Sequence, residues 1–130
     1  MSRVKRVLLW FMAFLYAGQG FFHLLNPAFF VKMMPPDLPN PEHLNVIAGL
    51  AEIVLGVYVL EPRTRVLAAW GLIALLIAVF PVNVHSALVN MGPEGPGSGA
   101  GFGNWLRLPL QAVFIVWAWW YTHPDAEVRA

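Results

Sequence analysis

HLNVIAGLAEIVLGVYVL, residues 43–60, is apolar almost throughout, yet it carries one carboxylate, Glu52, near its middle. Its eighteen residues, at about 1.5 Å rise each, reach most of the way across a hydrocarbon core of roughly 30 Å. A charged group at the centre of such a helix costs about 2.5–3.5 kcal/mol on insertion scales. It persists where a partner, an aqueous cavity or a task holds it. The rest of the chain is therefore read for what it presents to Glu52.

Three further apolar runs flank this one, at about 7–25, 66–90 and 105–121, which places the second helix at 44–60. Hydrophobic residues make up 58% of the 130 and charged residues 12%, too apolar for an ordinary soluble domain of this length. The expected fold is all-α: an antiparallel four-transmembrane-helix bundle forming a single domain, 1–130, in a lipid bilayer. A net charge of +1 and a basic cluster limited to Arg3, Lys5 and Arg6 give no reason to expect nucleic acid as a partner. The absence of cysteine excludes disulfides, thiolate metal sites and dithiol exchange within the chain.

The basic cluster followed by an apolar run is too long for a signal core and lacks an A-x-A-like site, so it reads as a retained first span. Residues 26–42 hold five prolines and read as an irregular interfacial connection. Residues 61–65, EPRTR, form a tight polar turn. Pro81 lies inside the third helix and is expected to kink it. Residues 92–103, GPEGPGSGAGFG, read as a flexible loop. With the N-terminus cytoplasmic, Arg3, Lys5, Arg6, Arg63, Arg65 and Arg129 fall inside, and Lys32 and Arg107 outside. The positive-inside rule then puts both termini in the cytoplasm, with the bacterial inner membrane as the expected location.

In this topology the polar residues converge on the outer half. Gln19 and His23 share one face of the first helix at i,i+4. Asn83, His85 and Ser86 follow Pro81 in the third. Arg107 and Gln111 open the fourth, again at i,i+4. Side chains lean toward a helix's N-terminus, which turns His23 and His85 toward Glu52 and Arg107 away from it. Gln19, His23, Glu52, Asn83, His85, Arg107 and Gln111 are thus the candidate ligand-binding residues; none is assigned a catalytic role. Each also has a plainer reading: Glu52 as a hydrogen-bond hub, the histidines as satisfied core residues, Arg107 snorkelling to the interface, Asn83 capping a carbonyl freed near Pro81, the glutamines as interhelical glue. A metal held by His23, His85 and Glu52 is conceivable by ligand type, but no short-spaced ligand pair supports it, and no metal is assigned. There is no HExxH, phosphate loop or GxSxG.

AGLAEIVLGVYVLEPRTRVLAAWGLIALLIAVFPVNVHSAL, LRLPLQAVFIVWA and the earlier AGQGFFHLLNPAFF resemble the DoxX family of small four-helix membrane proteins. Glu52, Pro81, Asn83, Arg107 and Gln111 are the family-like positions. The resemblance implies a membrane subunit or accessory of an oxidoreductase system, working with protein partners in a membrane complex or as a homo-oligomer. The expected ligand is a quinone or similar small lipophile, held in the outer half of the bundle. The alternative is a non-enzymatic scaffold or assembly protein whose polar cluster only fixes helix packing.

Overall fold

Ser2 sets where the chain first becomes helical. Its hydroxyl accepts from the Lys5 backbone amide at 3.1 Å, satisfying one of the donors that a helix start leaves unpaired. Helix α1 therefore runs Arg3–Leu25 rather than from residue 7, and takes the basic cluster into its first turns. The computed structural model describes residues 2–32, 34, 38–90, 97–99 and 101–123. Four more helices follow: α2, Pro27–Val31; α3, Pro41–Tyr58; α4, Arg65–Leu88; and α5, Phe102–Trp120. The described residues form no strand, so the fold is all-α.

The boundaries depart from the expected ones for local reasons. Proline breaks helices in their interior but suits the first turn, where its missing N–H would be unpaired anyway. Pro27 accordingly starts α2 inside a connection expected to be irregular, and Pro41 starts α3 ahead of residue 44. Helix α3 stops at Tyr58, and its last carbonyls are taken by the start of α4. The Thr64 hydroxyl donates to Tyr58 O at 2.7 Å, and the Arg65 guanidinium donates to Val59 O and Leu60 O at 2.9 and 3.0 Å. Helix α4 ends at Leu88 rather than residue 90, because Asn90 adopts a left-handed conformation (φ 49°) that stops the helix. The Asn90 side chain also accepts from Gly101 N at 2.8 Å and donates to Gly99 O at 3.0 Å, tying down the entry to α5. Half of the loop expected at 92–103, and the tail with Arg129, lie outside the described residues.

Helix α1 packs on α3, α3 on α4 and α4 on α5. Helices α1 and α5 meet through long side chains: Phe11 stacks on Trp117 at 5.9 Å between ring centres, and the buried Tyr121 hydroxyl donates to Lys5 O at 2.8 Å. Leu9, Met12, Val59, Leu72, Ile73, Ala118 and Tyr121 form a dry core at the end of the bundle where α1 and α4 begin. Lys5, buried in that end, reaches His123 O and lies 5.2 Å from the Trp120 ring. Tyr121→Phe is expected to lower stability by about 0.5–1.5 kcal/mol, the net worth of one such bond. Thermal unfolding in detergent measures it, and an unchanged midpoint would show that the hydroxyl closes nothing.

Two helices, α1 and α4, are long and apolar enough to cross a membrane. Helix α3 falls short of that standard, with Glu42, His43, Asn45 and Glu52 in its eighteen residues, and so does the tryptophan-rich α5. The four expected spans are thus matched in helicity by all four long helices, but in apolarity by two.

Candidate functional site

Asn45, Gly49, Glu52 and Gly56 recur at 4-3-4 spacing, which is one face of a helix. In α3 this stripe is the buried one, while Val46, Ile47, Leu50, Val54 and Val57 are exposed. The helix is inside-out: its small and polar residues face the bundle and its large apolar residues face outward. The glycines set the depth of contact with α1. A Cβ on Gly49 would sit 2.9 Å from Gly20 O and 2.9 Å from His23 Cβ, and one on Gly56 would sit 3.1 Å from Ala13 O.

This close approach puts His23 between two partners on α3. Its Nδ1 lies 2.7 Å from Asn45 Oδ1, and its Nε2 lies 3.5 Å from Glu52 Oε1. Asn45 Nδ2 donates to the His23 carbonyl at 2.8 Å. That carbonyl has no donor within α1, since the residue four positions on is Pro27, which has no N–H. The second bond fixes which way the Asn45 amide points and therefore turns its oxygen to the imidazole. His23 Nδ1 must then carry a hydrogen. Phe30 from α2 stacks on the imidazole at 3.6 Å between ring centres, covering it from the connection side.

Opposite stand α4 and α5. Pro81 donates nothing to Ile77 O, and the helix is cross-braced next to that gap: the Gln111 amide donates to Leu76 O, and Asn83 donates to Gln111. Asn83 thus bonds across to α5 instead of capping the freed carbonyl itself. Between these walls lie two cavities. One, of about 420 Å3, runs from His23 and Phe30 past Ala48 to Val79 and Ser86. The other, of about 300 Å3, runs from Tyr16 toward Leu76, Gln111 and Phe114. Gln19, Glu52, Asn83 and Arg107 border both, so Glu52 stands where the two meet.

The structure thus brings together six of the seven candidates and corrects details of their placement. His23 pairs with Glu52. Gln19 and Arg107 are exposed at the rim instead of buried. His85 borders neither cavity, and its Nε2 is buried without a hydrogen-bond partner; on α4 it lies on a different face from Asn83 and Ser86, which do line the larger cavity. It does not approach Glu52 as expected from its lean along the helix, because rotation about the helix axis outweighs that lean. No group of three metal-ligating side chains occurs among the described residues. Three participants were not anticipated: Tyr16, Phe30 and Asn45. The 4-3-4 stripe that contains Glu52 was the available signal for Asn45; nothing local marked Phe30, whose place depends on the path of the connection.

Three buried polar atoms on the cavity walls have no hydrogen-bond partner among the described residues: Tyr16 OH, Glu52 Oε2 and Ser86 Oγ. Tyr16 and Glu52 border the smaller cavity, and Ser86 and Glu52 the larger. Unsatisfied buried groups cost about 1–3 kcal/mol each, and three of the four such atoms among the described residues belong to residues that line these two cavities.

No curated protein and no solved structure matches the chain. A family model does match, and it is not that of DoxX, which overturns the resemblance drawn from the glutamate, Pro-x-Asn and Arg-x-Pro-x-Gln patterns. Those patterns have local causes here: the amide pair braces a helix at a proline, and the glutamate sits on the glycine stripe where α1 comes close. The model covers residues 12–122, nearly the whole of the four long helices, and on that match the chain belongs to the family described as a domain of unknown function, DUF8561.

Proposed function

We propose that this chain is an integral membrane protein of four antiparallel spans that holds a small lipophilic molecule, of the quinone class, in the outer half of the bundle. The span reading is supported by the outward faces of all four long helices. Phe14, Ile47, Leu67 and Val113 are each 60% or more exposed, and they stand among many other exposed large apolar side chains. Soluble monomers rarely expose such continuous apolar surface. Arg3, Lys5, Arg6, Arg63 and Arg65 gather at the end opposite Arg107, the asymmetry of a cytoplasmic face.

The observation that carries the ligand reading is Glu52: a buried carboxylate with one oxygen unpaired, standing at the junction of two apolar-walled cavities. An apolar space with a few convergent polar groups is the usual make-up of a small-molecule site. Phe22, Phe29 and Phe30 line its larger arm and suit a flat ring. An accessory subunit of a membrane oxidoreductase system is the setting in which such a ligand would be used. The scaffold reading takes support from the His23–Asn45 bonds, which tie α1 to α3 whether or not the cavity is filled.

The two readings part on a cavity-filling substitution. Ala48→Phe places a ring in the larger cavity, which Ala48 lines, and leaves the Glu52, His23 and Asn45 side chains themselves unaltered. Organic extraction of the purified wild-type protein, followed by mass spectrometry, is expected to yield a stoichiometric lipophile, and the variant is expected to lose at least tenfold of it while melting within a few degrees of wild type. Extracts of wild type and variant that match would overturn the pocket.

A further inference from the structure

Glu52 is 9% exposed and borders both cavities, and its Oε2 is buried with no partner among the described residues. What it can recognise depends on whether that oxygen carries a proton, and Asn45 decides this from a distance. Because the Asn45 amide is held by the His23 carbonyl, the hydrogen on His23 is fixed at Nδ1. A neutral His23 then turns a bare lone pair from Nε2 toward Glu52 Oε1, 3.5 Å away. Two bare lone pairs at that distance repel. The pair is stable with one proton between Nε2 and Oε1, carried by the nitrogen as imidazolium or by the oxygen as a carboxylic acid. In the first case Oε2 belongs to a carboxylate; in the second it is the carbonyl oxygen of the acid. In both it is free of protons and can only accept.

From this we infer that the site at Glu52 selects a ligand that donates a hydrogen bond: a hydroxyl-bearing lipophile such as a phenol or hydroquinone, in preference to the corresponding quinone or ether. The inference rests on the pocket proposed above and adds the chemical form of its occupant. The other unpaired atoms fit the same occupant. Tyr16 OH and Ser86 Oγ are hydroxyls, able to donate to the ligand's oxygen or accept from it. A ligand hydroxyl both donates and accepts, so it suits the Glu52 carboxylate and the Tyr16 hydroxyl, whose residues line the smaller cavity. A quinone or ether oxygen can accept from the hydroxyls, but it sets lone pair against lone pair at Oε2. An ammonium would also donate, but the Arg107 guanidinium borders both cavities and opposes a second cation. Binding alone is inferred, with no transfer of electrons.

The test uses the full-length protein in lipid nanodiscs and three probes of one chain length: a decyl hydroquinone, its dimethyl ether and the decyl benzoquinone, titrated anaerobically by tryptophan quenching. The hydroquinone is expected to bind at least tenfold more tightly than either of the others. Glu52→Met is expected to bring the three within about twofold. Glu52→Gln, which can offer its amide N–H to His23 and keep its oxygen toward the cavity, is expected to retain the preference; it also serves as the folded reference should the methionine variant not assemble. An ether or quinone that matches the hydroquinone on wild-type protein, or a preference that survives Glu52→Met, would overturn the inference and leave the pocket standing. Failure of all three probes to bind would overturn the pocket as well.

Discussion

Gly20→Ala is expected to break the pairing of α1 with α3 and to destabilise the bundle by more than about 3 kcal/mol. A Cβ on Gly20 would press on the Gly49 carbonyl oxygen and would lie 2.6 Å from Ile53 Cγ1 and 3.0 Å from Ile53 N. Two of those three neighbours are backbone atoms, which cannot swing aside as a side-chain tip can, so the helices must separate. Overpacking of this kind costs about 1–3 kcal/mol by itself. The separation also draws His23 away from Asn45 and Glu52, one turn farther along, and each lost bond adds about 1 kcal/mol or more. Gly18 provides the control on the same helix. Nothing lies within 4 Å of the Cβ it would carry, so Gly18→Ala is expected to be neutral or to stabilise by up to about 1 kcal/mol through helix propensity. Thermal unfolding of both variants in one detergent reads the difference. Equal midpoints would show that the α1–α3 contact is looser than described.

The long helices were legible because length and apolarity both announce them, and no alternative secondary structure accommodates runs of that extent. Their starts were less so. Pro41 reads as a breaker until its first-turn role is considered, and Ser2 is one hydroxyl before a charged segment. Within the site, Glu52 stood out as the lone carboxylate of its run, and the i,i+4 pair Gln19 and His23 pointed to its side of α1. Asn45 is the second residue of the helix expected from residue 44, where a polar side chain reads as part of the helix start, although it lies seven residues before Glu52 on the same stripe. The failure at His85 has a different origin. Where a side chain points after Pro81 depends on helix rotation set by the Gln111 brace from α5, a contact between residues 35 apart. Such long-range rotation leaves no periodic trace. The likeness to DoxX failed for a related reason: short patterns that brace a proline or seat a buried acid arise wherever small helices pack closely, so they report packing before ancestry.

Asn45→Asp, nearly isosteric, is expected to be at least as damaging as Asn45→Ala. Asn45 is fully buried and serves His23 twice, accepting from the ring and donating to the backbone carbonyl that Pro27 leaves without a partner. Alanine strands both groups, a cost of about 2–6 kcal/mol if each unsatisfied group costs about 1–3. Aspartate restores the acceptor but has no N–H, so its second oxygen meets the His23 carbonyl oxygen as acceptor against acceptor, and it buries a further charge. The ordering follows from the direction in which the amide points, which is also what keeps the hydrogen on Nδ1 and leaves Glu52 Oε2 to accept. Denaturant unfolding of the two variants beside wild type reads it. If aspartate is tolerated where alanine is not, the donation to the His23 carbonyl contributes little, and that bond no longer fixes the amide or the hydrogen on Nδ1.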